Sequence, residues 1–114
     1  MTNQDKKSIE LVLTYQGKSI GVETNPYNTI EHFINEMKNQ AKENPAEMFN
    51  MPELDMGSNP MHYFLTRVKK DGQTEILKPR NREKENQTLD DYNVESGDEL
   101  IIQSKPIAGG RIEN

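Results

Sequence analysis

Few side chains in this 114-residue sequence are of a kind that does chemistry, and fewer are spaced for it. Its 2 histidines, His32 and His62, have no partner at metal-ligand or proton-relay spacing and read as ordinary surface residues. The acids Asp90, Asp91, Glu95, Asp98 and Glu99 cluster, but not at EF-hand spacing, so they read as a solvated acidic edge. Arg80, Arg82 and Lys84 form a basic run diluted by Glu83 and Glu85, a solvated connector open to a partner enzyme. With 0 cysteines, the chain can build no disulfide, thiolate zinc site, cysteine nucleophile or iron–sulfur cluster. There is no Gly-x-Ser-x-Gly, P-loop or dinucleotide fingerprint. Neither an enzyme nor a metal or cofactor site is therefore expected. What remains is Gly109-Gly110, followed by Arg111-Ile112-Glu113-Asn114. Glycine has no Cβ, so the pair gives the thinnest and most permissive backbone available. At average glycine usage, chance places such a pair among five terminal positions about 2–3% of the time.

The elements that would present this tail follow from hydrophobic period. Ile9, Leu11 and Leu13 alternate with Glu10 and Val12 in residues 8–14, and Ile20 and Val22 alternate in 19–24. Joined by Tyr15-Gln16-Gly17-Lys18, they predict a β-hairpin. Asn25-Pro26 breaks the second strand. A helix then opens at Asn28 or Thr29, with Asn28 and Glu31 at capping-box spacing. Ile30, Phe33, Ile34, Met37 and Ala41 form one helical stripe, and Pro45 ends the helix at Asn44. Residues 45–60 hold 3 prolines and 3 methionines and predict an irregular insertion folded over the edge of the core. Residues 61–68 predict a strand that buries either Tyr63 and Leu65 or Phe64 and Val68. An Asp71-Gly72 turn leads to a return strand, Thr74 to Leu77. A charged connector spans 78–87, a turn places Leu89, Tyr92 and Val94 inward, and a last strand runs from Glu99 to Gln103.

The organisation expected is a polar, disordered segment over 1–7, one domain over 8–104 and a flexible tail over 105–114. The apolar fraction is 32%, about 38% with the glycines, below the usual ~45–50%, which fits residues lying outside the core. A net charge of −5 argues against nucleic acid and against an anionic membrane as partners. No apolar run approaches membrane-spanning length and no signal peptide is evident, so a soluble cytoplasmic protein is expected. One helix against a sheet whose hairpins come first and last is an α+β, two-layer arrangement: a mixed sheet packed on one main helix.

That order is the β-grasp order, and specific residues strengthen the likeness. Thr14-Tyr15-Gln16-Gly17-Lys18-Ser19-Ile20 resembles the first turn of the ubiquitin family, and Asn28-Thr29-Ile30-Glu31 the start of its helix. Gln87-Thr88-Leu89-Asp90-Asp91-Tyr92-Asn93-Val94 resembles the family's Thr-Leu-x-Asp-Tyr-Asn segment, and the chain then reaches Gly109-Gly110. The resemblance covers residues 8–110 apart from the insertion and a longer second hairpin. It implies that Leu89 plugs the core and that the Tyr92 hydroxyl bonds backbone near the end of its own loop. The family's apolar recognition patch is not reproduced: its first-turn position is Tyr15 and its last-strand position Gln103. Only Lys18 matches a family lysine. With a four-residue extension after Gly-Gly, the sequence resembles bacterial ubiquitin-like modifiers, encoded with activating, conjugating and deubiquitinase-like enzymes in systems linked to antiphage defence, more than a eukaryotic ubiquitin.

The resemblance implies a precursor cleaved between Gly110 and Arg111. The freed Gly110 carboxylate would be adenylated by MgATP, passed to an enzyme thiol and joined to a target lysine by an isopeptide bond. Lys105, Ile107, Ala108 and Gly109 would be read by the enzymes that handle the tail. The partners implied are an activating enzyme, a conjugating enzyme, a deubiquitinase-like peptidase and target proteins. Two other classes fit the sequence. A sulfur carrier would end in a Gly110 thiocarboxylate. A noncovalent adaptor or self-assembling subunit would use Tyr15, Met48, Phe49, Met51 and Leu54 as an interface, with Met56 beside them; self-association there is also compatible with a modifier.

Overall fold

A computed structural model describes residues 8–107. Five strands and one helix follow in the order β1 (Ile9–Tyr15), β2 (Lys18–Thr24), α1 (Ile30–Glu43), β3 (Met61–Val68), β4 (Thr74–Leu77) and β5 (Glu99–Pro106). A short 3-10 turn, Asp90–Tyr92, precedes β5. The strands make one mixed sheet in the order β2-β1-β5-β3-β4. The first and last strands run parallel at its centre, and every other pairing is antiparallel.

Turn chemistry sets the register of the first hairpin. Tyr15 pairs with Lys18, so the loop is only Gln16-Gly17, and both residues have positive φ, 50° and 84°. That is the mirror-image turn whose twist matches paired strands, and it needs glycine at its second position. Register then points Leu11, Leu13, Ile20 and Val22 to one face, beneath α1. The second hairpin spans five loop residues, Lys69 to Gln73, rather than a two-residue Asp-Gly turn. Asp71 turns back to accept from the Gln73 N–H at 3.0 Å, and Lys69 N–H donates to Gln73 C=O at 2.8 Å.

The helix is capped by Thr29, whose hydroxyl accepts from the His32 N–H at 3.0 Å. Asn28 is not the cap: its N–H closes a turn onto Asn25 C=O, which leaves Thr29 the residue in extended geometry at the helix entrance. The helix ends at Glu43 before Asn44-Pro45, where proline disfavours another helical turn. Ile30, Phe33, Met37 and Ala41 are buried against the sheet, with Ile34 half-buried at their flank. Leu65, Leu77, Leu89 and Leu100 complete the most deeply buried set. In β3 the inner face holds Tyr63 and Leu65; Phe64 and Val68 lie on the other side.

The segment 45–60 enters the core. Phe49 and Met51 are buried, Met48 is half-buried, and Lys18 Nζ donates to the Met48 carbonyl at 2.9 Å. The connector 78–87 is a small closed turn: Arg80 bridges to Asn86, and Asn81 N–H donates to Glu85 C=O at 3.1 Å. Charge hid this turn from a hydrophobic-period reading, because none of its bonds requires an apolar residue.

Candidate functional site

The site is built where β5 delivers the C-terminal segment to the surface. β5 continues to Pro106, with Lys105 opposite His62 and Pro106 opposite Met61. The strand thus extends three residues past the end at Gln103 expected from sequence. The physical reason is that Pro106 falls at a position whose backbone points away from β3. The bonds on either side survive, and Ile107 N–H donates to Pro60 C=O at 2.7 Å. Lys105 is exposed and Ile107 is 46% exposed. Ala108, Gly109, Gly110 and Arg111 lie outside the described residues.

The Thr88–Asn93 segment shows what each residue of its motif does. Thr88 Oγ1 accepts from the Asp91 N–H at 3.0 Å, and Thr88 N–H donates to Asp91 Oδ2 at 2.9 Å, a reciprocal pair of the capping-box kind. Leu89 is fully buried. Asn93 takes φ 59°, a left-handed position that asparagine tolerates. The Tyr92 hydroxyl donates to backbone, the Lys78 carbonyl at 2.9 Å, at the start of the connector after β4. Burial pushes the Tyr92 phenol above its ordinary range, against the opposing pull of that bond. Arg67, in register with buried Tyr63 and Leu65, clamps the same loop: a guanidinium nitrogen donates to the Tyr92 carbonyl at 2.7 Å, and Nε lies 3.4 Å from Asp98. The sequence signal for Arg67 is a cation two residues beyond Leu65, at an inward strand position where an apolar residue is the rule.

Of the residues suggested as an interface, Tyr15, Phe49 and Met51 are core. The Tyr15 ring meets Phe49 and Tyr63 edge to face, at 5.8 and 6.2 Å, and its hydroxyl bonds Ser104 on β5 at 2.9 Å. The three are thus corrected from docking residues to packing residues: they fill the gap between the first turn and the foot of β5. Leu54 stays half in solvent at 52%, and Met56 is fully exposed.

Tyr63 sits in this aromatic group and donates to the Pro52 carbonyl. Burial, with the Tyr15 phenol beside it, pushes Tyr63 from 10.0 up to about 12. A folded value above the unfolded one means stability that is complete below pH 10 and lost as pH rises toward 12. Urea midpoints measured across that range should fall with pH, and fall less steeply in Tyr63→Phe. An unchanged slope would remove Tyr63 from the alkaline transition.

The free face of the sheet carries an apolar patch that sequence reading missed. Thr14, Ile101, Thr66 and Ile76 line up across the strands, with Phe64 and Val68 flanking Thr66 along β3. Gln103 pairs with Phe64 and accepts from the Thr66 hydroxyl at 2.7 Å. Alternation along β3 and β5 predicts these outward positions once the inward ones are fixed. His62 stacks on Phe64 at 5.7 Å, and His32 sits 3.5 Å from Glu36 on the exposed helix face. Among the described residues no three His, Asp or Glu side chains converge as metal ligands, and no helix is long and apolar enough to cross a membrane.

Solved structures match this architecture over nearly its whole length. One is the ubiquitin-like domain of an Arabidopsis thaliana protein, with 13% identity, a TM-score of 0.58, and coverage of 99% of this chain and 92% of that one. The fold is a ubiquitin-like β-grasp. A Caldiarchaeum subterraneum ubiquitin matches this ubiquitin-like domain with 17% identity, a TM-score of 0.51, and coverage of 90% of this chain and all of that one. No protein-family model and no curated protein matches the sequence. At these identities the likeness speaks for the ubiquitin-like fold itself.

Proposed function

We propose that the chain is a ubiquitin-like modifier precursor, cleaved after Gly110 and then activated at the new carboxylate for transfer to target amines. The observation that carries this reading is the path of β5. It holds the chain in the sheet as far as Pro106 and fixes Ile107, the last described residue, to Pro60; Gly109-Gly110 follows two residues later in the sequence. A narrow tail leaving a folded body is what an enzyme channel requires. The ubiquitin-like fold supports the same reading.

The protein is the substrate in this chemistry. While Arg111 is attached, the Gly110 carbonyl is an amide and offers no carboxylate oxygen. Hydrolysis of that amide adds water and frees Gly110. The carboxylate then attacks the α-phosphorus of MgATP and pyrophosphate leaves. An enzyme thiol displaces AMP to give a thioester, and a lysine amine displaces the thiol, its proton passing to solvent. The apolar patch around Thr66 offers partner enzymes a surface to hold while the tail is threaded.

Intact mass of the protein recovered from its native cells is the test. The expected result is a species ending at Gly110, with heavier species carrying Gly110 in isopeptide linkage. A Gly110 thiocarboxylate would identify a sulfur carrier instead. A mass ending at Asn114, without adducts, would make the protein a noncovalent module.

A further inference from the structure

A cleft of about 570 Å³ opens between α1, β3 and the chain leaving β4, within the size range of ligand sites. Its apolar lining is Ile34, Met61, Tyr63 and Pro79, and Lys38, Lys78 and Arg80 add three cations. Lys38 Nζ lies 6.0 Å from the Tyr63 ring centroid, and Lys78 and Arg80 are exposed. Glu31 is the one acid in the lining, 3.9 Å from Arg80. On a chain of net charge −5 this is a local reversal of sign.

One wall of the cleft is the strand edge at Tyr63, open between Met61, whose N–H is bonded to Glu53, and Leu65, which pairs with Leu77. The β3–β4 ladder stops at Leu65 opposite Leu77. The next pair on that flank would set Tyr63 against Pro79, which has no N–H to give. The Pro79 carbonyl is already taken by the Gln87 N–H at 2.8 Å. Successive residues of a strand present their backbone groups to alternate flanks. Pro60 C=O faces β5, where Ile107 donates to it, and Met61 N–H faces the other way, donating to Glu53 C=O at 2.9 Å. Tyr63 N–H and C=O share that second flank, and among the described residues they have no backbone partner on it.

We infer that the cleft docks an extended acidic segment of a partner protein, added as a short strand beside Tyr63. The segment's backbone completes the bonds of Tyr63, an apolar side chain rests on Ile34 and Pro79, and carboxylates face Lys38, Lys78 and Arg80. Charge selects this occupant, since a basic or neutral strand leaves Lys38 and Lys78 unanswered. The inference is independent of the Gly110 chemistry.

The test is an NMR titration of the full-length chain with a blocked octapeptide of alternating valine and glutamate. Saturable shifts are expected at Lys38, Met61, Tyr63 and Arg80. The valine–lysine counterpart should not bind. The double variant Lys78→Glu/Arg80→Glu, both on exposed side chains, should weaken binding by about tenfold or more. N-methylating the peptide at alternate residues should abolish it, a readout that side-chain attraction alone would not move. No saturable binding, or binding indifferent to charge reversal or N-methylation, overturns the inference. So does binding that appears only after residues 108–114 are removed, which would make the chain's own terminus the occupant. Concentration-dependent self-association lost in the double variant would assign the cleft to a second copy and overturn it too.

Discussion

Phe49→Ala should lower the unfolding free energy by about 3–5 kcal/mol, the range for truncating a buried phenylalanine. Phe49 is 2% exposed and packs edge to face on Tyr15, which in turn meets Tyr63. Removing the ring loses its transfer free energy, opens a cavity between the first turn and β5, and gives up an aromatic pair worth about 0.5–1.5 kcal/mol. Against a total of about 5–15 kcal/mol for a domain of this kind, that is a large share. Met56, further along the same segment, is fully exposed, and Met56→Ala should stay within about 0.5 kcal/mol. Urea denaturation followed by far-UV circular dichroism compares the two. If Phe49→Ala costs under about 1 kcal/mol, the segment does not belong to the core.

This contrast also marks where the sequence was legible. Regular elements were, because one buried face imposes a period: alternation at Ile9, Leu11 and Leu13, and the helical stripe from Ile30 to Ala41. The segment 45–60 has no period, since its prolines forbid a long element. Its methionines and Phe49 carry no label separating a core plug from a docking surface. Only the three-dimensional neighbours do that, and Tyr15 and Tyr63 lie far from Phe49 in sequence. The same holds for Tyr15, where a polar hydroxyl on a first-turn residue hides a buried ring satisfied by Ser104.

The foot of β5 was hidden for a different reason. Pro106 reads as an end to pairing, yet proline interrupts a ladder only where its missing N–H was needed. At Pro106 it was not, and the strand continues. Pro79 is the opposite case. It falls where the ladder calls for a donor, and the β3–β4 pairing stops one pair short of it. Two prolines in equivalent sequence contexts thus have opposite structural effects, decided by which flank each backbone group faces.

For the tail, Gly110→Val in a chain ending at residue 110 should reduce MgATP-dependent attachment to proteins by at least about a hundredfold, the cost of misplacing a reacting group by an ångström or so. A branched Cβ beside the carboxylate widens the thinnest part of the chain and restricts its dihedrals. No described backbone bond reaches beyond Ile107, so the midpoint of unfolding should not move. The assay is an extract of the native cells supplied with MgATP, read by the ladder of higher-mass conjugates. A chain retaining Arg111 serves as a second control. If a peptidase in the extract trims it, conjugates appear after a lag; if the peptidase is inhibited, none should form, because an amide cannot attack the α-phosphate. Conjugation undiminished in Gly110→Val would mean that Gly110 is not the reacting end. Loss of conjugation together with a lowered unfolding midpoint would mean that the substitution acts through the fold, and the channel argument would fall with it.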